Sequence, residues 1–323
     1  MQSNTRTQAA AMLLFTALAW GAQFSVAKTA LVSIDAFHLS TLRYVPAAAV
    51  MLAVLAAVEG RRALRLDGAG VKLWLYGSFG FAGFSILAFL GVAATTPEQA
   101  AIIVALMPLV TALVAWIMRG RRPALSTWAA IGVALAGVSL VITRGHLHFG
   151  AEAAWGADAT VLAGVACWAV YTMGAAAMPT FSPLRYTALS MTLGAVSIVG
   201  VTVIATALGA PLPAPADVAA VWPQIAYMSI VAGVLAVLAW NAGVGTLGPS
   251  TGALFVNLVP IVAFAIAVAH GRRFGAAEVA GVLLTIAALV GGNIAARPVT
   301  QPRATVAQSM ARRPGIALRA CPG

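Results

Sequence analysis

The sequence predicts an all-α integral membrane protein of ten transmembrane helices, arranged as two five-helix repeats that are inverted relative to one another. Three observations lead there. The 323 residues are 61% hydrophobic and only 8% charged, with a mean hydropathy of +0.95, so there are too few polar groups to cover a water-soluble globule. Ten apolar stretches of about 20 residues, each long enough to cross the hydrocarbon core as a helix, follow one another along the chain. The second five carry landmarks of the first five in the same order.

The stretches run over about 9–31, 37–58, 72–93, 97–118, 124–143, 158–178, 184–208, 222–245, 250–270 and 275–296. The first follows a polar segment with Arg6, as a cleavable signal peptide would, but it pairs with the sixth stretch and is therefore read as a retained helix. The second ends at EGRRALRLDG, and the third at the Thr-Thr-Pro that opens the fourth. The fourth stops at RGRRP and the fifth at TRGHLHFG. APLPAPAD closes the seventh, TLGPS the eighth and GRRFG the ninth. These breaks hold the turn-forming and charged residues that hydrocarbon excludes.

The repeat is visible residue by residue. LGPSTGALFVNLVP, starting at Leu247, follows TTPEQAAIIVALMP by 152 positions and matches it at Pro97 and Pro249, Ala101 and Ala253, Val104 and Val256, Leu106 and Leu258, and Pro108 and Pro260. Trp20 pairs with Trp168, Arg43-Tyr44 with Arg185-Tyr186, Gly91 with Gly243, and Gly120-Arg121-Arg122 with Gly271-Arg272-Arg273, at separations of 142 to 152 residues. The expected units are 1–148 and 153–296. An odd number of helices per unit makes the second enter the membrane from the opposite side, which gives an inverted repeat. Residues 297–323, polar, basic and Pro-containing, lie outside the pattern and are expected to be disordered or an appended segment.

The net charge of +11 is spread between apolar runs rather than along a basic, aromatic-laced stripe, which argues against nucleic acid and for membrane topology. With the N-terminus inside, Arg6, Arg61, Arg62, Arg65, Lys72, Arg119, Arg121, Arg122 and Arg185 are cytoplasmic, against Arg144, Arg272 and Arg273 outside. Both termini are thus expected on the cytoplasmic side. The outer Gly-Arg-Arg reads as inherited sequence that the rest outvotes. Lys28 and Arg43 are left out of the comparison because both lie near span ends, where a long side chain snorkels to the interface.

Two cysteines, Cys167 and Cys321, and four histidines, His38, His146, His148 and His270, make no disulfide framework and no metal-ligand spacing. No cofactor or metal is implied. An intramembrane enzyme would need a nucleophile and base, or metal ligands, at catalytic spacing, and none is visible. A scaffold or receptor would need neither interior polar groups nor kinked symmetric helices.

The paired Pro-containing helices, TTPEQAAIIVALMPLVTALVAW and GPSTGALFVNLVPIVAFAIAV, together with ALAWGAQFSVAK in the first helix, resemble the EamA-type carriers of the drug/metabolite transporter superfamily. The resemblance covers about residues 9 to 296. Within that superfamily the overall run of sequence is most similar to the YddG-type exporters of aromatic and other amino acids. The resemblance implies a carrier in a bacterial-type inner membrane that exports small amphiphilic metabolites, amino acids above all, with drugs, nucleosides or other metabolites as the alternative. It leaves open proton coupling against facilitated diffusion or exchange, and monomer against homodimer.

A substrate site in such a carrier lies near the midplane, where the two units meet, and is lined by polar or aromatic groups inside the spans. Trp20 and Trp168 hold matched positions, with Gln23 and Tyr171 three residues on and one turn away. The alternative for the tryptophans is the interfacial belt or plain packing. Tyr76, Phe79 and Phe84 lie on the third helix beside Gly77, Gly80 and Gly83, whose spacing suits close helix approach. Core packing accounts for most of those aromatics, while Tyr76 needs a partner for its hydroxyl. Trp240, Asn241 and Asn257 follow in the second unit. Each Asn either binds substrate or bridges helices.

Thr96 and Gln99 form a T-x-x-Q capping box, Pro97 suits a first helical turn, and Glu98 puts negative charge at the positive end of a helix. Ser250, its counterpart, is neutral, so an additional substrate role for Glu98 stays open. Pro108 and Pro260, read as lying well inside their helices, are expected to kink them as hinges or as fixed bends.

Overall fold

A computed structural model describes residues 2–120, 122–144, 155–247, 252 and 255–295. Ser250, His146, His148, Arg121, Pro249, Ala253, Cys321 and the tail lie outside the described residues, and every regular element among those described is helical.

The chain begins with α1 (Gln2–Ala30) and α2 (Ala36–Val58). Asp35 starts α2 by accepting from the amides of Phe37 and His38, which satisfies donors that an N-terminus leaves free. A single 3-10 turn, Arg61–Leu64, leads to α3 (Gly70–Ala94). Next come α4 (Pro97–Ala105) and α5 (Met107–Arg119), bent by 47° where they meet at Leu106, and then α6 (Leu125–Thr143). The second half opens with α7 (Trp155–Ala176) and α8 (Pro183–Ala207), the latter capped by Ser182. A short helix, Pro215–Ala220, precedes α9 (Trp222–Leu247), α10 (Leu258–Ala269) and α11 (Ala276–Ala295).

Seven of these, α1, α2, α3, α6, α7, α8 and α9, are long and apolar enough to cross a membrane, and the bent pair of α4 and α5 makes an eighth. The stretches expected at 250–270 and 275–296 form the shorter apolar helices α10 and α11. The capping box expected at Thr96 and Gln99 is present with both of its bonds, and Pro97 is at the first helical position.

Helix contacts come in sets that exchange the two halves. The α3–α7 contact has its counterpart in α9–α1, and α1–α10 in α7 with α4 and α5. The pairs α2–α8, α6–α11 and α4–α10 map onto themselves. Small residues make the closest of these approaches, as expected where lipid provides no hydrophobic drive between helices. A Cβ on Gly77 would overlap the Ser190 carbonyl of α8, one on Gly80 the ring of Tyr171, and one on Gly83 would lie 3.0 Å from the Cys167 sulfur. The glycines of the two Gly-Arg-Arg triplets, Gly120 and Gly271, follow the ends of α5 and α10 with φ of 68° and 84°, left-handed values that glycine adopts without strain.

Both α3 and α9 contain a π-helical segment, at Ser78–Gly83 and Tyr227–Leu235, in corresponding places of the two halves. Such wide turns shift the register of everything beyond them and release backbone carbonyls from the i to i−4 ladder.

Polar contacts gather at two ends. At one, Lys28 Nζ donates to the carbonyls of Val92, Ala93 and Thr95 at 2.8 to 2.9 Å, satisfying the end of α3. The Thr95 hydroxyl bridges to Gln99 and Asp158. Arg272 joins Glu98 and Glu278, and Arg144 approaches Glu278 at 3.8 Å. At the other end, Arg185 bonds Asp67 at 2.6 Å and the carbonyls of Ala63 and Arg65, while Ser182 donates to Glu59.

Candidate functional site

Between these ends lies a buried aromatic and polar centre. Trp20 leans on Trp240 with ring centroids 5.5 Å apart, and its indole N–H donates to the carbonyl of Ala232, within the wide turn of α9. Trp20 therefore faces the helix bundle rather than forming a belt. Trp168 packs against Phe84 at 5.3 Å and Tyr171 at 5.0 Å. Trp20 and Trp168 both pack against one core cluster fed by α1, α3, α4, α6, α7, α10 and α11.

Tyr171 is buried and stacks on Tyr186, whose hydroxyl donates to the Tyr171 carbonyl at 2.7 Å. Tyr76 is half-buried and packs on Gly174 of α7. Phe79 stays apart from this group. It is 44% exposed and lines an apolar surface groove of about 370 Å³ together with Ser78, Gly83, Cys167, Ser197 and Val201. Phe81, two residues on, is the aromatic that points inward. It makes edge contacts with Tyr44, Trp168 and Tyr171 at 5.0 to 6.1 Å. Helical spacing counted through the wide turn of α3 misplaces the inward face, so Phe81 escaped the sequence reading.

The amides stand out by what they lack. Asn257 is 3% exposed, and among the described residues neither its Oδ1 nor its Nδ2 has a hydrogen-bond partner, nor does the Nδ2 of Asn241. Gln23 is buried, and its Oε1 accepts from Nη2 of Arg43 at 2.8 Å. This overturns the expectation for Arg43. It does not snorkel to an interface but is 4% exposed, its guanidinium over the rings of Tyr44 at 4.6 Å and Phe89 at 5.5 Å. Lys28, by contrast, does lie at a span end, where it caps α3.

Glu98 is not part of the centre. Its carboxylate is held by Arg272, which reaches across from beyond α10 and also contacts Glu278. The second Gly-Arg-Arg is therefore more than inherited sequence, because its first arginine pairs with two buried carboxylates. Partners this far apart in sequence leave no local signal.

Pro108 and Pro260 also need relocating. They are the second residue of α5 and the third of α10, so their missing N–H groups fall in first turns, where no i−4 acceptor is lost. The breaks come just ahead of them, at Leu106 and at Asn257, whose backbones have ψ of −5° and −13°.

Fold and site together define a multi-pass helical membrane protein with polar and aromatic side chains packed inside its helix bundle. The chain belongs to the EamA-like transporter family, which matches residues 7–143 and again 155–293. It is 32% identical over 288 residues to the Bacillus subtilis (strain 168) protein named uncharacterized transporter YrdR, covering 87% of this chain and 89% of that one. It is 33% identical over 277 residues to the uncharacterized transporter YyaM of the same organism, covering 85% and 90%. An Archaeoglobus fulgidus protein, again named an uncharacterized transporter, is 25% identical over 255 residues, or 77% of this chain and 84% of that one. A solved crystal structure, titled only as that of a protein, superposes with a TM-score of 0.62 over 91% of this chain and 100% of its own, at 19% identity, which is a likeness of fold. The chain is thus a multi-pass transporter of this family.

Proposed function

We propose that this transporter exports small amphiphilic metabolites, foremost amino acids with aromatic or other apolar side chains, from the cytoplasm by alternating access. In this reading ten helices cross a bacterial-type inner membrane as two inverted units, 1–148 and 153–296, with both termini in the cytoplasm. The helix contacts that exchange the two halves support it. So does the separation of Arg185 and its partners at one end from Arg144 and Arg272 at the other, the sides that the positive-inside rule assigns.

The observation that carries the proposal is Asn257. A buried amide with no partner costs free energy, of the order of 1–3 kcal/mol, unless something else bonds it. Asn257 stands at the break before α10, where an interrupted helix in an inverted-repeat carrier presents backbone and side-chain groups to substrate. Trp20, Trp168, Tyr171 and Trp240 supply apolar walls for a side chain, and Gln23 and Asn241 supply further polar contacts. Family membership leaves the substrate class free, and the amino-acid reading rests on the resemblance of the sequence to YddG-type exporters together with the aromatic and amide groups above.

Purified protein in proteoliposomes tests the proposal. Labelled phenylalanine and threonine are expected to cross in a saturable, protein-dependent way, with competition by other neutral amino acids. Flux equal to that of empty liposomes for every amino acid offered, alongside saturable flux of nucleosides or drugs, rejects the substrate class.

A further inference from the structure

We propose that Arg43, held by Gln23, binds the carboxylate of the transported molecule; the inference rests on the reading of the chain as a carrier of small amphiphiles and names the group that makes a molecule a substrate. A guanidinium inside a membrane protein is costly and is almost always paired with an acid or with carbonyls. Arg43 is 4% exposed, and of its donors only Nη2 has an acceptor, the neutral amide oxygen of Gln23. Among the described residues Nε and Nη1 have none.

No carboxylate among the described residues pairs with Arg43. Among the described residues every acidic side chain bonds a group other than Arg43, although Oδ2 of the buried Asp158 has no partner there. Asp35 holds His38 and caps α2, Glu59 bonds Ser182, Asp67 bonds Arg185, and Glu98 and Glu278 share Arg272. Asp158 accepts from Thr95, and Asp217 from the backbone of Ala214.

Surroundings select the rest of the ligand. Tyr44 and Phe89 cover the guanidinium face, and Tyr44 leads through Phe81 to Trp168 and Tyr171. The planar donor fork matches the two oxygens of a carboxylate, and the rings beside it suit an apolar or aromatic body. Gln23 fixes the guanidinium without neutralising it, which leaves its charge for the ligand.

The test measures ligand-induced thermal stabilisation of the purified protein in chloride-free methanesulfonate buffer. The ligands are phenylalanine, threonine, 3-phenylpropionate, phenylalaninamide, phenethylamine and sodium chloride, each added separately to wild type, Arg43→Gln and Arg43→Lys. The carboxylate-bearing ligands are expected to stabilise wild type, and the amide and amine to bind at least about tenfold more weakly, the value of a charged hydrogen bond. Arg43→Gln is expected to lose that discrimination, and Arg43→Lys to keep part of it. Should Arg43→Gln fail to fold, the wild-type ranking of acid against amide still decides. The proposal is overturned if amide and amine bind as well as the acids, if Arg43→Gln binds acids as wild type does, or if no carboxylate binds and chloride alone stabilises. Binding of 3-phenylpropionate through Arg43 with none of phenylalanine or threonine would uphold Arg43 and defeat the amino-acid reading.

Discussion

Replacing Gly91 by Ala tests the helix packing on which the site depends. A Cβ at Gly91 would come 2.6 Å from the carbonyl oxygen of Ala157 and 2.9 Å from the Thr160 hydroxyl, both on α7. Ordinary contact begins near 3.4 Å, so α3 and α7 must part by about 0.8 Å, and a backbone oxygen has no rotamer with which to yield. Overpacking of this kind costs about 1–3 kcal/mol, against which Ala regains up to about 1 kcal/mol of helix propensity. A net loss of about 1–2 kcal/mol would lower the melting temperature by roughly 1.5–3 °C for a chain of this size.

Two controls sharpen the expectation. At Gly243, the repeat partner of Gly91, the nearest backbone atom is the Ala9 carbonyl at 3.1 Å and the nearest side chain is the flexible Leu13, so Gly243→Ala should cost less. Gly132 faces open space, and Gly132→Ala should leave the protein unchanged or slightly more stable. Thermal unfolding in detergent, followed by tryptophan fluorescence, reads all three. Equal melting temperatures for Gly91→Ala and Gly132→Ala would refute the close α3–α7 approach.

Other substitutions follow from the same contacts. Phe81→Ala empties a buried site and is expected to cost about 3–5 kcal/mol, while Phe79→Ala on the surface groove should cost below about 1 kcal/mol; the two melting temperatures check it. Arg272→Ala leaves the buried Glu98 without its cation and Glu278 with only the distant Arg144, and should destabilise by about 2–4 kcal/mol at neutral pH. The triple variant Arg272→Gln, Glu98→Gln and Glu278→Gln should recover much of that loss in the same melting assay. Lys28→Met removes the donor shared by the Val92, Ala93 and Thr95 carbonyls, and hydrogen exchange should quicken at the junction of α3 and α4.

Much of the fold could be read from the chain because its causes are local or repetitive. Hydrocarbon requires apolar runs of fixed length, and Asp35, Thr96 with Gln99, and Ser182 mark helix starts through bonds spanning two or three residues. Trp20 and Trp168 both pack inside the bundle, and Gly91 and Gly243 both stand at close helix approaches. The rest depended on geometry that no spacing encodes. The wide turn in α3 exchanged the roles of Phe79 and Phe81. Arg43 looked like an interfacial residue by its distance from the start of its span, yet Gln23 and two rings hold it inside. Arg272 meets Glu98 across 174 residues, and only the folded chain joins them. Pro108 and Pro260 looked like interior residues of long helices, yet both fall in first turns, the first just after the 47° bend at Leu106.

Counterflow tests the central claim of alternating access to a substrate site most directly. Proteoliposomes preloaded with unlabelled phenylalanine are diluted into labelled phenylalanine, and the initial uptake is compared with that of unloaded vesicles. A single site that faces each side in turn predicts a transient accumulation of label, accelerated by the internal load and lost in Asn257→Ala protein that still folds. Uptake that ignores the internal load, or that is unchanged in folded Asn257→Ala protein, would contradict the account.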